Sequence, residues 1–183
     1  MINLTITKRT DERLLQRMEN HYSKPKGFVG RNICYAVEVG DDYFGHIVAG
    51  SATRFLPGRH EYLGTAPAQL NNIVNNIFFN VSPVDEKYPL RNFTTKVVSE
   101  FVKTVVVDWQ DKYGDTVMGF ETLVEIPREG ILYKKAGWKD VGVTKGYTCK
   151  RCAGKGTDDW SGKRVWDTTN LKPKKVLCLK VKT

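Results

Sequence analysis

Apolar positions along the chain change period several times, and each change predicts an element. Leu4 and Ile6 alternate with Thr5 and Thr7, the period-two pattern of a first strand. Leu14, Leu15, Met18 and Tyr22 then recur at helical spacing. Residues 11–22 are therefore expected to form an amphipathic helix, with Thr10 as its N-cap and Asp11 and Glu12 in its first turn. Pro25 and Gly27 end that helix and open a basic loop. Residues 33–39 (ICYAVEV) and 43–53 (YFGHIVAGSAT) flank the turn residues Gly40, Asp41 and Asp42 and read as a hairpin. Beyond a loop rich in Pro and Gly, residues 70–83 (LNNIVNNIFFNVSP) predict a buried strand after a polar, asparagine-rich start.

Phe93, Val97, Phe101 and Val105 fall four apart, which predicts a long helix opening at Arg91 and ending at Gly114 as its C-cap. The run Val105-Val106-Val107 has strand propensity, but the long period outweighs it. Residues 116–126 (TVMGFETLVEI) predict a strand with Phe120, Thr122 and Val124 on one face and Glu121 on the other. A short helix over 128–136, a turn and strand over 137–144, a Gly/Lys/Asp-rich loop over 149–164 and a final strand over 176–181 follow. Strands cluster early and then alternate with helices. That order implies one α/β domain over residues 1–183, built on a mixed sheet with helices on both faces.

Composition narrows the class. With 40% hydrophobic and 27% charged residues, the chain is globular and not disordered. It has no apolar run of transmembrane length, and the N-terminus MINLTITKRTDERLL lacks the apolar core of a secretory signal, so a cytoplasmic protein without membrane contact is expected. Lys and Arg total 29 against 20 Asp and Glu, a formal net charge of +9, which favours a polyanionic partner such as DNA. Lys24, Lys26 and Arg31 in the basic loop are candidate phosphate contacts. Of the four cysteines, Cys149 and Cys152 form one CxxC. Reduced cysteines are expected, with a zinc site completed by Cys34, Cys178 or a histidine, or a redox pair, as the alternatives.

Candidate chemistry falls on few residues. Arg91, Asn92, Thr94 and Thr95 open the long helix, whose first amides suit an anion; a plainly capped helix start is the alternative. Glu121 lies in an apolar strand, where it reads either as a general base with a pKa raised by burial or as a structural ion pair with Arg128 or another arginine. His21 and Tyr22 end the first helix, as a cap or as part of a catalytic site.

The segment Tyr133-Lys134-Lys135-Ala136-Gly137-Trp138, followed by Val141-Gly142, resembles the Y-x-K-x-G-[FW]-x-x-V-G signature of the GCN5-related N-acyltransferases (GNAT). The resemblance implies their α/β fold, acetyl-CoA or a related acyl-CoA as donor, and Tyr133 as the acid that protonates a departing thiolate. The glycine motif Q/R-x-x-G-x-G/A of that family is absent, and Tyr88-Pro89-Leu90-Arg91-Asn92-Phe93-Thr94-Thr95 stands in its place.

A second resemblance rests on HYS at 21–23, LNNIVNNIFF at 70–79, DW at 108–109, FETLVE at 120–125, VGVTKG at 141–146 and GKRVW at 162–166. In that order, over roughly residues 21–180, the chain is similar to the Mom-type DNA-modification proteins of phages and to Druantia A-type defence proteins. The Mom-type resemblance implies a transferase that attaches a carbamoylmethyl-like group to the exocyclic amine of adenine and so protects phage DNA from restriction. The base would be flipped from the duplex to reach the donor, with Tyr22, Phe79 and Trp138 free to stack on it. Iron held by His21 and Tyr22 is a candidate metal for such chemistry. Two rival readings remain: an acyl-CoA-dependent N-acyltransferase acting on a small amine or protein, and a non-catalytic DNA-binding protein on the same scaffold.

Overall fold

The structure, a computed structural model, describes residues 1–82, 92–150, 165–167, 169 and 171–181, with the backbone alone for 148–150 and 165–167. Its centre is a seven-stranded sheet in the order β1-β2-β3-β4-β5-β9-β6. The strands are β1 (Ile2–Thr7), β2 (Asn32–Val39), β3 (Asp42–Ser51), β4 (Ile73–Val81), β5 (Gly119–Glu125), β6 (Lys139–Val143) and β9 (Lys174–Lys180). β7 (Thr148–Lys150) and β8 (Val165–Asp167) form a separate two-stranded ribbon, so the expected loop at 149–164 begins with strand residues, and 151–164 lie outside the described residues.

Alternation along the strands divides the core between the two faces of the sheet. One face carries Tyr35, Ile47, Val74, Phe120 and Leu177, packed against α3 (Phe93–Tyr113) and α4 (Ile131–Lys135). The predicted stripe of α3, Phe93, Val97, Phe101 and Val105, is buried there, and Gly114 ends the helix at φ 75° as a left-handed C-cap. On the other face, Cys34, Val48 and Phe78 meet Leu14 and Met18 of α1 (Glu12–Glu19), while Ile73, Val176 and Cys178 meet Leu63 of α2 (Arg59–Leu63). A fully buried side chain of the size of Phe101 or Leu14 contributes about 1.5–3 kcal/mol. The α1 helix is shorter than its apolar spacing predicts. Asp11, not Thr10, caps it by accepting from the N–H groups of Arg13 and Leu14, and Asn20 closes it, which leaves His21 and Tyr22 in the following turns. Among the described residues no helix is long and apolar enough to cross a membrane.

All neighbouring strands of the large sheet are antiparallel except β4 and β5. This parallel pair keeps register only over Ile73–Gly119, Val74–Phe120 and Asn75–Glu121 and then parts. A bulge in β4 accompanies the parting: against β3, Val48 pairs with Phe78 and Ala49 with Asn76, so Ile77 is the extra residue. A bulge bends its strand, and the Ile77 side chain lies over Gly50, where a Cβ would come within 2.6 Å of it. β5 meanwhile follows β9 along its whole length, from Gly119–Lys180 to Glu125–Lys174. β4 carries the bulge and β5 keeps an unbroken ladder with β9, and the gap between β4 and β5 is the cleft.

Candidate active site

A cavity of about 690 Å³ fills the gap where β4 and β5 diverge. Asn75 to Phe79 of β4 and Thr122 to Glu125 of β5 wall it. The start of α3 and the start of α4 close it on one side, and His21, Tyr22 and Ser23 border it on the other.

Asn92, Thr94 and Thr95 line the cavity at the start of α3. Asn92 stands at φ 61° and makes no side-chain cap. The amides of the first helical turn have no intrahelical partners, and the helix dipole adds positive potential there. Buried Phe93, whose ring meets Phe44 at 5.2 Å, fixes the entry of the helix. This cradle suits the pyrophosphate of a nucleotide cofactor. Arg91, the fourth residue expected there, lies outside the described residues.

Tyr133, on α4, lines the cavity with its ring packed edge-on against Trp138 at 5.1 Å and Phe79 at 6.2 Å. Its hydroxyl donates to Asn76 Oδ1 at 2.5 Å. The orientation of the Asn76 amide is forced, because Nδ2 donates to two carbonyls, Val48 O at 3.1 Å and Phe78 O at 3.0 Å, which cannot donate in return. Oδ1 is therefore the atom facing Tyr133, and the phenol must supply the hydrogen. Burial holds the phenol well above its ordinary pKa, so it keeps its proton near neutrality. Thr122 Oγ1 donates to Asn76 O at 3.0 Å and ties β5 to β4 beyond the point where their ladder ends.

At the other border, His21 Nδ1 lies 2.8 Å from Ser23 Oγ and accepts from Ser23 N–H at 3.2 Å. Its ring rests on Tyr22 at 4.2 Å and on Phe78 at 4.9 Å. Burial lowers the His21 pKa and the nearby Arg128 charge lowers it further, against a backbone hydrogen bond with Phe79. His21 is thus neutral near pH 7, with an unprotonated Nδ1 directed at the Ser23 hydroxyl. Arg128 covers the Tyr22 ring, its guanidinium 3.8 Å from the centroid, and is not the partner of Glu121.

The structure corrects three site expectations. Trp138 is buried with its ring against Tyr133 and Phe120, so it is not free to stack on a base. Glu121 faces away from the cavity and is fully buried; Oε2 accepts from Arg59 Nη1 at 2.8 Å and Oε1 from Thr53 N–H at 2.6 Å. Both oxygens are engaged in a structural pair, so Glu121 is not placed to act as a base on an acceptor in the cleft. Arg31 pairs with Asp115 and lies over the rings of Trp109 and Tyr113 at 5.6 and 5.0 Å, so it is not a free phosphate ligand. Lys24 and Lys26 are exposed. Asn76, Thr122, Ser23 and Arg128 are site residues that the sequence reading did not select, although the asparagine run containing Asn76 was the signal for one of them.

Cys34 and Cys178 are free and buried on opposite halves of the sheet, and Cys152 lies outside the described residues. Among the described residues no three His, Cys, Asp or Glu side chains gather where they could hold a metal ion, so iron on His21 and Tyr22 has no further ligand of those types there.

No protein-family model matches the sequence, and no curated protein matches it either. Solved structures do resemble it. An acetyltransferase from Bacillus subtilis in complex with CoA superposes with a TM-score of 0.57 at 13% identity, over 99% of both chains. A GNAT family acetyltransferase from Elizabethkingia anophelis with acetyl-CoA bound gives 0.52 at 11% identity, over 98% of both chains. An aminoglycoside acetyltransferase in complex with coenzyme A gives 0.56 at 13% identity, over 98% of this chain and 95% of the other. The mixed seven-stranded sheet with its helices thus has the fold of the GNAT acetyltransferases.

Proposed function

We propose that this chain is a transferase that takes a small acyl group, of about the size of a carbamoylmethyl group, from an acyl-CoA-type donor and joins it through its carbonyl carbon to the exocyclic amine of adenine in DNA. One observation carries the reading: the cleft between β4 and β5 has an uncapped helix start on one side, a protonated phenol inside and a neutral histidine at its opposite border. When bound, an acyl-CoA supplies a carbon activated by its thiolate leaving group. The amides of α3 at Phe93, Thr94 and Thr95 would hold its pyrophosphate. Tyr133 holds the proton that the departing sulfur needs. Ser23 and His21 form a path for the proton that the amine loses, with Nδ1 as its terminus.

The DNA half of the reading is supported by the +9 charge, the exposed Lys24 and Lys26, and the stacked Tyr22–Arg128 pair at the cleft border. It also accords with the Mom-type resemblance in sequence. Mass analysis of nucleosides from DNA of cells making the protein tests it. An adenosine of increased mass is the expected result, and DNA identical to that of control cells would count against it. Glu125 in the cavity wall favours a second reading, in which the acceptor is a cationic small amine. Acylated polyamines in the same extracts, with unmodified DNA, would select that reading.

A further inference from the structure

We infer that the loop between β3 and α2 is a rigid wedge that sets Phe55, stacked under Arg54, against the bases of duplex DNA beside the cleft, where Phe55 occupies the gap left by the extruded adenine. The inference rests on the DNA reading above.

The loop is anchored on both flanks of the two residues. Before them, Thr53 N–H donates to Glu121 Oε1 at 2.6 Å, Thr53 O accepts from Arg59 Nη1, and Thr53 Oγ1 accepts from Asn75 Nδ2 at 3.1 Å. Arg59 Nη2 also reaches Arg54 O at 3.4 Å. After them, Leu56 packs against the apolar cluster of Leu63 and Ile73. Gly58, at φ 67°, comes so close to β6 that a Cβ would lie 2.0 Å from Val141 O. Between these anchors Phe55 is 79% exposed, and the Arg54 guanidinium stands 5.3 Å over its ring.

A single exposed apolar residue is ordinary. Here it is held out by a carboxylate and a guanidinium that are both completely buried. Buried ion pairs return little net stability, so the evident product of the Glu121–Arg59 pair is the shape of this loop. Its position is also specific. Asn75 and Glu121, two of the three residues that grip Thr53, form the last rung before β4 and β5 part, and Asn75 lines the cavity. The basic loop reaches the same end of β3, where Ser51 N–H donates to Arg31 O and Gly30 lies against Ser51 Oγ. Exposed Lys24 and Lys26 therefore belong to the loop that meets the end of β3, the strand from which the wedge springs. Cations for phosphates beside a fixed aromatic for bases match a nucleic acid whose stack must open locally.

The test compares duplex and single-stranded DNA of one sequence as acceptors for the native protein, Phe55→Ala and Phe55→Trp. A single strand has no stack to open and no gap to fill. Phe55→Ala is therefore expected to lower modification of the duplex by about tenfold or more, the scale of one lost base–aromatic stack, while the single strand changes by less than about twofold. Phe55→Trp should restore the duplex. If Phe55→Ala leaves the duplex-to-single-strand ratio at the native value, the wedge is wrong and the DNA reading stands. If the native protein modifies neither form, both fall.

Discussion

Tyr133 and Asn76 lie 57 residues apart in sequence, and the phenol of one donates to the amide oxygen of the other at 2.5 Å. The amide nitrogen of Asn76 is occupied by Val48 and Phe78, so this bond fixes the phenolic hydrogen inside the cleft. Tyr133→Phe leaves Oδ1 without its donor. The cavity beside it admits water, so the expected loss of stability is near the lower end for an unsatisfied buried acceptor, about 1 kcal/mol, read from the denaturant midpoint at constant m-value.

Glu121→Gln is expected to behave differently. Gln retains the shape and can still accept from Thr53 N–H, but it leaves the Arg59 charge buried without a counter-charge. A loss of about 3 kcal/mol is expected in chemical denaturation. A variant as stable as the native protein would show that the pair does not hold the loop.

His46 predicts the acid side of the stability profile. It is fully buried, with Nδ1 2.6 Å from the Tyr43 hydroxyl and Nε2 3.3 Å from Thr7 Oγ1. Burial lowers its pKa to about 4, despite the nearby Asp11. The unfolded chain binds a proton near pH 6.5 while the folded protein does not. The contribution is therefore intact above that pH and is lost as pH falls from about 6.5 to about 4, a drop of about 3 kcal/mol. Denaturant midpoints of His46→Gln over that window should show a drop smaller by about that amount; a parallel decline would contradict the assignment.

The start of α3 can be tested with opposite signs in stability and binding. Asn92→Asp puts a carboxylate at the positive end of the helix, which stabilises it by about 0.3–1 kcal/mol. The same charge faces the proposed pyrophosphate and should weaken acetyl-CoA binding on the order of tenfold in calorimetry. Unchanged affinity would move the cofactor away from this helix.

Local periodicity made most of the fold legible. The stripe of α3, the β2–β3 hairpin and the alternation of β5, with Glu121 opposite Phe120 and Val124, follow from residues close together in sequence. What escaped depends on distant partners or on register. The extra residue in β4 carries no local mark, since Ile77 suits a strand whether or not it is bulged. Nothing near Glu121 points to Arg59, 62 residues away, and Arg31 meets Asp115 across 84. Tyr133 was reached through a motif. Its partner Asn76 is one of several asparagines in an apolar strand, and its purpose shows only when the carbonyls around it are placed.

The most direct test of the central claim is the amount of modified adenine in DNA from cells making the native protein or Tyr133→Phe at equal levels. The native protein should yield an adenosine of increased mass, and loss of a positioned proton donor should reduce it by about 100-fold to 10,000-fold. Unmodified adenine with the native protein, or the same amount of product with Tyr133→Phe, would contradict the account.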